Sequence, residues 1–470
     1  MNKKIILRYA VGPIGASILG FITLPIITWF YSIEDVGRVS MLQVFTSFTI
    51  LFFCLGLDQA YVREYHSAPN KPLLLKSTLL PGLILSVIFL FVIYFYDATM
   101  ISKWLYEIPS TYLSILTILC FIVALISRFL SLVIRMQERA LAFSMSQLLP
   151  KLLFVLLILS SIWFGFSKNI YTLITANVLS IFFVFLIFLW NTRQDWIISF
   201  RYKLEKEQLT KLFSFGLPLV IGGLATWGLN VMDRLFLRAL STYSELGIYS
   251  VAMSIAAVAA ILSGIFNTIW APMVYKWESE KSVDLAKIDD ISESVLAIIY
   301  FVIVLSGLFS WVIPYLLPKQ YEVIQFLITC CLIGPLFYTL SETTAVGITL
   351  SRKTKWSMFA SIGAMLINFL GNYILVPQFG AMGATAATAI AFWSFFILRT
   401  EFSKLVWRKI PVLKSYTCVT MLTFCAVMSM FFLSEHLLAF ISVWLVLLFI
   451  GLFIFLNTIK ILMVKISAGF

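Results

Sequence analysis

Apolar residues fall into about fourteen runs along the chain, each long enough to cross a bilayer and each bounded by a short polar connection. A spanning helix needs roughly 20 mostly apolar residues. The runs cover approximately residues 5 to 30, 38 to 62, 77 to 96, 110 to 134, 140 to 165, 170 to 190 and 212 to 239. They continue over 247 to 270, 294 to 316, 323 to 350, 356 to 376, 383 to 403, 416 to 433 and 437 to 459. This pattern predicts an all-α polytopic membrane protein of about 14 transmembrane helices. The first run is too long for the apolar core of a signal peptide and no clean small-residue cleavage site follows it, so it is expected to stay as the first span.

Charge sets the expected orientation. Of the 34 Lys and Arg residues, 25 fall in alternate connections, running from Lys3, Lys4 and Arg8 through Lys276, Lys281 and Arg352 to Lys460 and Lys465. The other connections hold only Arg38, Lys103, Lys168 and Lys319. Basic residues collect in loops that remain cytoplasmic, so an even number of spans with both termini inside is expected. The net charge of +12 is then a topology signal. Its scatter over short inter-helix loops argues against nucleic-acid binding, which would gather it on one face.

A basic stretch, Asn191 to Lys211, separates six spans from eight, and a repeat supports a division there. Asp35, Val36 and Gly37 answer to Glu245, Leu246 and Gly247, Ser40 answers to Ser250, and Tyr65 to Tyr275, all at an offset of 210. Two pseudo-symmetric six-helix lobes are therefore expected, residues 1–190 and 212–403, joined by a cytoplasmic linker at 191–211. Residues 404–470 would form a further linker and helices 13 and 14. An even number of spans per lobe makes this a parallel repeat, an arrangement typical of transporters with a central site, in which the lobes rock to alternate access. Small residues such as Gly12, Gly15, Gly216, Gly223, Gly380 and Gly383 suit close helix packing. Pro13, Pro218 and Pro272 fall within or at the ends of spans.

Eight ionisable residues remain at membrane depth: Asp58, Arg128, Lys151, Asp233, Arg234, Arg238, Glu342 and Arg399. Each would cost roughly 2.5 to 3.5 kcal/mol near the bilayer centre, so the set must face a hydrated cavity or pair internally. Arg128, Arg135, Lys151, Arg234 and Arg238 are the candidate cationic lining of a substrate cavity. Arg128 and Arg135 are seven apart and share a helix face, with snorkelling the alternative for both. Arg238 could snorkel outward. Asp58, Asp233 and Glu342 are candidates for ion coupling or structural pairs, Asp233 with its neighbour Arg234. Arg399 lies near the inner end of its run and is expected to be solvated.

Other chemistry is thin. His66 and His436 both lie in connections, so no histidine-based metal site or proton relay is expected within the membrane. No Walker-type phosphate loop occurs, no cofactor or metal is implied, and no connection is long enough for a catalytic domain. The six cysteines sit in apolar runs as packing residues.

Three segments resemble a known family. DRLFL at 233–237, SELGIYSVA at 244–252 and FNTIWAPMVYKW at 266–277 look like the corresponding stretch of Wzx-type polysaccharide flippases. These belong to the multidrug/oligosaccharidyl-lipid/polysaccharide exporter superfamily. LGLDQAYVREY at 55–65 is similar to the end of that family's second helix, and VPQFGAMGATAATAIA at 376–391 to its turn between spans 11 and 12. The resemblance implies a non-enzymatic flippase in the bacterial inner membrane. It would move an undecaprenyl-diphosphate-linked oligosaccharide repeat unit outward for O-antigen, capsule or similar polysaccharide, alongside a polymerase and a chain-length regulator. A diphosphate headgroup wants cationic partners, which agrees with the residues at membrane depth. A multidrug or cation antiporter of the same superfamily would favour an acidic cavity instead. The superfamily's lipid II flippases carry arginines in their first helix, whereas Val11 to Phe30 here holds no charge. A membrane glycan polymerase or glycosyltransferase would call for catalytic residues on a large outer loop.

Overall fold

The structure is a computed structural model describing residues 3–279, 285–351, 353 and 355–460, without the side chains of 3–11, 13, 225, 226, 262, 265, 267–269, 271, 272, 275, 276, 278 and 279. Lys281, Arg352 and Lys465, which count towards the expected orientation, lie outside the described residues, as do the side chains of Lys3, Lys4, Arg8, Pro13, Pro272, Tyr275 and Lys276.

Regular structure among the described residues is helical throughout. The long helices are α1 (Lys3–Phe30), α2 (Ile33–Phe53), α3 (Lys71–Tyr96), α4 (Thr111–Met136), α5 (Ala140–Trp163), α6 (Ile170–Asn191) and α7 (Lys206–Leu240). They continue as α8 (Tyr243–Ser279), α9 (Leu285–Leu308), α10 (Ile324–Thr344), α11 (Lys355–Val406), α12 (Leu413–Phe432) and α13 (Leu437–Ile454). Eleven helices among the described residues are long and apolar enough to cross a membrane, or twelve if the bent α7 is one span. Two more of the expected spans are accounted for by the apolar part of α1, Ile14–Phe30, and by α11, whose 52 residues hold two spans in one helix. Gly380, at φ 51° and ψ −125°, breaks α11 at the turn expected between spans 11 and 12.

Helix starts follow from local chemistry. Ser32, Asn70, Ser110 and Asn169 precede α2, α3, α4 and α6, and each side-chain oxygen accepts the N–H three residues on. That contact satisfies one of the backbone donors a helix start leaves open. Thr242, 210 residues beyond Ser32, accepts the N–H of Glu245 at 3.2 Å, the same distance as Ser32 to Asp35.

The chain packs as two compact units, Met1–Val231 and Met232–Phe470, so the boundary falls inside α7 and not in the 191–211 stretch. The first part of α7 belongs to the first unit because Leu212 is buried in a core with Phe53, Leu57 and Leu132. Gly216 also meets the backbone of Gly56. Within the first unit α1 packs on α5, and α4 receives α2, α3 and α6. In the second unit α10 is the buried centre, 89% of its apolar stretch being covered, with α8, α9 and α11 packed on it. The added pair α12 and α13 is built into this unit: Tyr300 of α9 donates to the Leu447 carbonyl, and Arg408 and Lys414 pair with Asp289 and Glu293. Large apolar side chains such as Phe91, Phe95, Trp163, Ile221 and Phe453 stay exposed, as lipid-facing surfaces require.

Candidate functional site

The expected second span is not one helix. After α2 the chain turns through Cys54 to Gly56, with Leu55 at φ 52° and Gly56 at φ 70°, and resumes as a short helix Leu57–Glu64. A Cβ at Gly56 would run into the Gly216 carbonyl oxygen, so only glycine permits this approach. The break places Asp58 in the first turn of the short helix, where a carboxylate suits the positive end of the helix dipole. Arg128 of α4 reaches it, donating from Nη2 at 2.7 Å and Nε at 3.2 Å to Asp58 Oδ2. Arg128 thus carries its own counterion, which removes most of its charge from any cavity.

Lys151, immediately after Pro150 in α5, is exposed and makes no ion pair or hydrogen bond among the described residues. Arg135 is exposed, with its guanidinium 5.7 Å from the Phe143 ring centre. These two and Arg128 are the first unit's share of the candidate cations.

In the second unit Asp233 is 3% exposed. It forms no ion pair with Arg234, contrary to the pairing expected from their adjacency. Neighbours in a helix diverge by about 100°, and Asp233 turns instead into a nest of neutral groups. Tyr249 Oη donates to Asp233 Oδ2 at 2.6 Å, while Asn372 Nδ2 and Asn368 Nδ2 donate to Oδ1 at 2.7 and 3.1 Å. Asn368 Nδ2 also reaches Thr388 Oγ1 at 3.2 Å, and Asn372 Oδ1 is buried with no partner. Arg234 is half-buried and has no hydrogen bond or ion pair among the described residues. Arg238 stacks over the Tyr243 ring at 5.0 Å.

Glu342 and Arg399 form a second internal ion pair, Arg399 Nη1 donating to Glu342 Oε1 at 2.6 Å and to Ser341 Oγ at 2.8 Å. The Arg399 side chain is 11% exposed, so it is not the solvated terminal cation expected. Its guanidinium carbon lies 5.8 Å from the Tyr338 ring centre and 5.4 Å from that of Phe395.

Tyr249, Asn368, Asn372, Thr388 and Ser341 do not stand out in the sequence. The one available signal is two asparagines four apart inside an apolar run, hence on one face. Among the described residues no group of three His, Cys, Asp or Glu could hold a metal ion.

Residues 3–277 match the family model described as polysaccharide biosynthesis protein. The chain belongs to that family. A curated relative, the Lsg locus putative protein 1 of Haemophilus influenzae, is 20% identical over 314 residues, 65% of this chain and 73% of the relative. Among solved structures, a lipid II flippase MurJ in an inward closed conformation matches 98% of this chain and 100% of its own, at a TM-score of 0.67 and 14% identity. An inward-facing multidrug resistance MATE family transporter of the MOP superfamily matches 83% of this chain and 94% of its own, at a TM-score of 0.56 and 15% identity. At such identities the likeness shows the fold alone. This polysaccharide biosynthesis family member is a multi-pass membrane protein with the MOP-superfamily transporter fold.

Proposed function

We propose that this family member is a flippase that moves an undecaprenyl-diphosphate-linked oligosaccharide repeat unit from the inner to the outer leaflet of a bacterial inner membrane. It is a transporter and not an enzyme. The observation that carries the reading is the difference between acids and bases at membrane depth. Asp58 and Glu342 are each paired with an arginine, Arg128 and Arg399, and Asp233 is held by three neutral donors, while Lys151 and Arg234 have no acidic partner among the described residues. An ionised side chain held without a counterion is costly in a bilayer. Each such cation fits a substrate that brings its own negative charge, and a diphosphate supplies that charge.

The nest around Asp233 suits a coupling cation. A buried carboxylate, amide oxygens and a hydroxyl form a hard oxygen set. Amide oxygen and nitrogen are assigned from hydrogen bonding, so rotation of Asn368 and Asn372 would present two further oxygens to an ion on Asp233. The experiment is loss and rescue of surface glycan in cells. Lys151→Ala and Arg234→Ala should each abolish it at normal membrane abundance, with Lys151→Arg restoring part, because positive potential matters more than shape. Full surface glycan in both alanine variants would overturn the reading.

A further inference from the structure

The chain between α9 and α10 does more than connect two helices. It folds through Ser310–Val312, Ile313–Leu316 and Lys319–Tyr321 before re-entering at Ile324, on the side the cation distribution assigns to the exterior. The first two of these segments, Glu322, Gln325 and the start of α13 line an open groove of about 500 Å³. That lies within the roughly 300 to 1,000 Å³ usual for small-molecule sites.

Two exposed rings stand on its rim, Trp311 and Tyr315, meeting edge to face at 6.1 Å. Glu322, exposed, and Gln325 add polar groups to the lining. Gln325 is 2% exposed, yet its Oε1 has no hydrogen-bond partner. Buried polar atoms are seldom left unpaired, and this one belongs to a residue that lines the opening. Aromatic rings at a membrane boundary can serve as interfacial anchors, but anchoring needs no unpaired amide behind them.

We propose that this groove is a glycan subsite that holds one uncharged sugar ring of the cargo on the exterior side. The apolar face of a pyranose stacks on Trp311 or Tyr315, and its hydroxyls pair with Gln325 and Glu322, which together offer acceptors and an amide donor. The carboxylate of Glu322 disfavours phosphate, so the subsite takes the glycan and not the diphosphate. The inference rests on the flippase reading for its cargo, but its test is independent of transport.

The test uses the full-length protein in nanodiscs free of glycoside detergent. The probe is the oligosaccharide released by mild acid from the lipid-linked fraction of the source cells, and saturation transfer from protein to sugar protons is measured by NMR. Transfer should be seen in the parent protein, fall at least threefold in Trp311→Ala and in Glu322→Ala, recover in part in Trp311→Phe, and stay unchanged in Phe424→Ala. Absence of transfer in the parent protein, or equal transfer in Trp311→Ala, would overturn the subsite. Either result leaves the Lys151 and Arg234 export test intact, so the two claims fail separately.

Discussion

Asp58, Asp233 and Glu342 are held in different ways, and each arrangement sets its own mutational outcome. Asp58 shares a partly exposed pair with Arg128, their side chains 13% and 37% exposed. Arg128→Ala should therefore lower stability by about 1 to 2 kcal/mol, less than the 3 to 5 kcal/mol for breaking a fully buried pair. Asp58→Asn in the same chain should recover most of it. Thermal unfolding in detergent reads both changes, and an Arg128→Ala protein as stable as the parent would show that the pair is not structural. Asp233→Asn keeps the volume and the bonds to Tyr249, Asn368 and Asn372 within reach, so abundance should stay normal while export and its dependence on an imposed cation gradient are lost. Unchanged export in that variant would remove Asp233 from coupling. The sequence locates the ionisable residues at membrane depth but not their partners. Asn368 and Asn372 stand 135 and 139 residues from Asp233, and neutral amides leave no charge pattern to read. Arg399 reads as solvated in the sequence because it lies near the end of an apolar run. What the run does not show is the nearby rings of Tyr338 and Phe395, whose positions depend on tertiary packing.

At the level of elements, the apolar runs predict most helices because lipid demands continuous apolar length. They do not show breaks within a run. The turn at Leu55 and Gly56 is invisible to hydropathy, since both neighbours of the break are apolar, yet it divides the second span and positions Asp58. Gly56→Ala would combine a left-handed backbone, costing roughly 1 to 2 kcal/mol for a residue with a Cβ, with a clash between that Cβ and the Gly216 carbonyl oxygen. A marked drop in folded protein is expected, seen as loss of the monodisperse peak on size exclusion, whereas Gly20→Ala, with open space around its Cβ, should be neutral. The break at Gly380 is tied by Glu245, whose Oε2 accepts the Ala381 N–H at 2.7 Å and so caps the second arm of α11. Glu245→Ala should cost about 0.5 to 2 kcal/mol, with Glu245→Gln retaining part of the cap. The sequence marks Glu245 only as one member of the 210-residue repeat.

For the whole molecule, the alternation of cations proposes that both termini are cytoplasmic. Reporter fusions after Lys203 and Lys409 should then read inside, and fusions after Lys168, Lys319 and His436 outside. A reversed signal at Lys203 would overturn this topology. The 210-residue repeat proposes two like lobes, and the Ser32 and Thr242 hydroxyls each accept the N–H three residues on at 3.2 Å. Compact packing nevertheless divides the chain within α7, because Leu212 and Gly216 are committed to the first unit by contacts that hydropathy does not encode. The central claim is that a lipid-linked oligosaccharide crosses the membrane through this protein on cations without an acidic partner among its described residues. It is tested most directly in proteoliposomes loaded with the purified undecaprenyl-diphosphate-linked repeat unit, by the fraction of glycan open to periodate in the external medium after the external leaflet has first been consumed. The parent protein should restore external glycan over time, and Lys151→Ala should restore no more than empty liposomes do. Equal restoration by the parent protein, Lys151→Ala and protein-free liposomes would contradict the account.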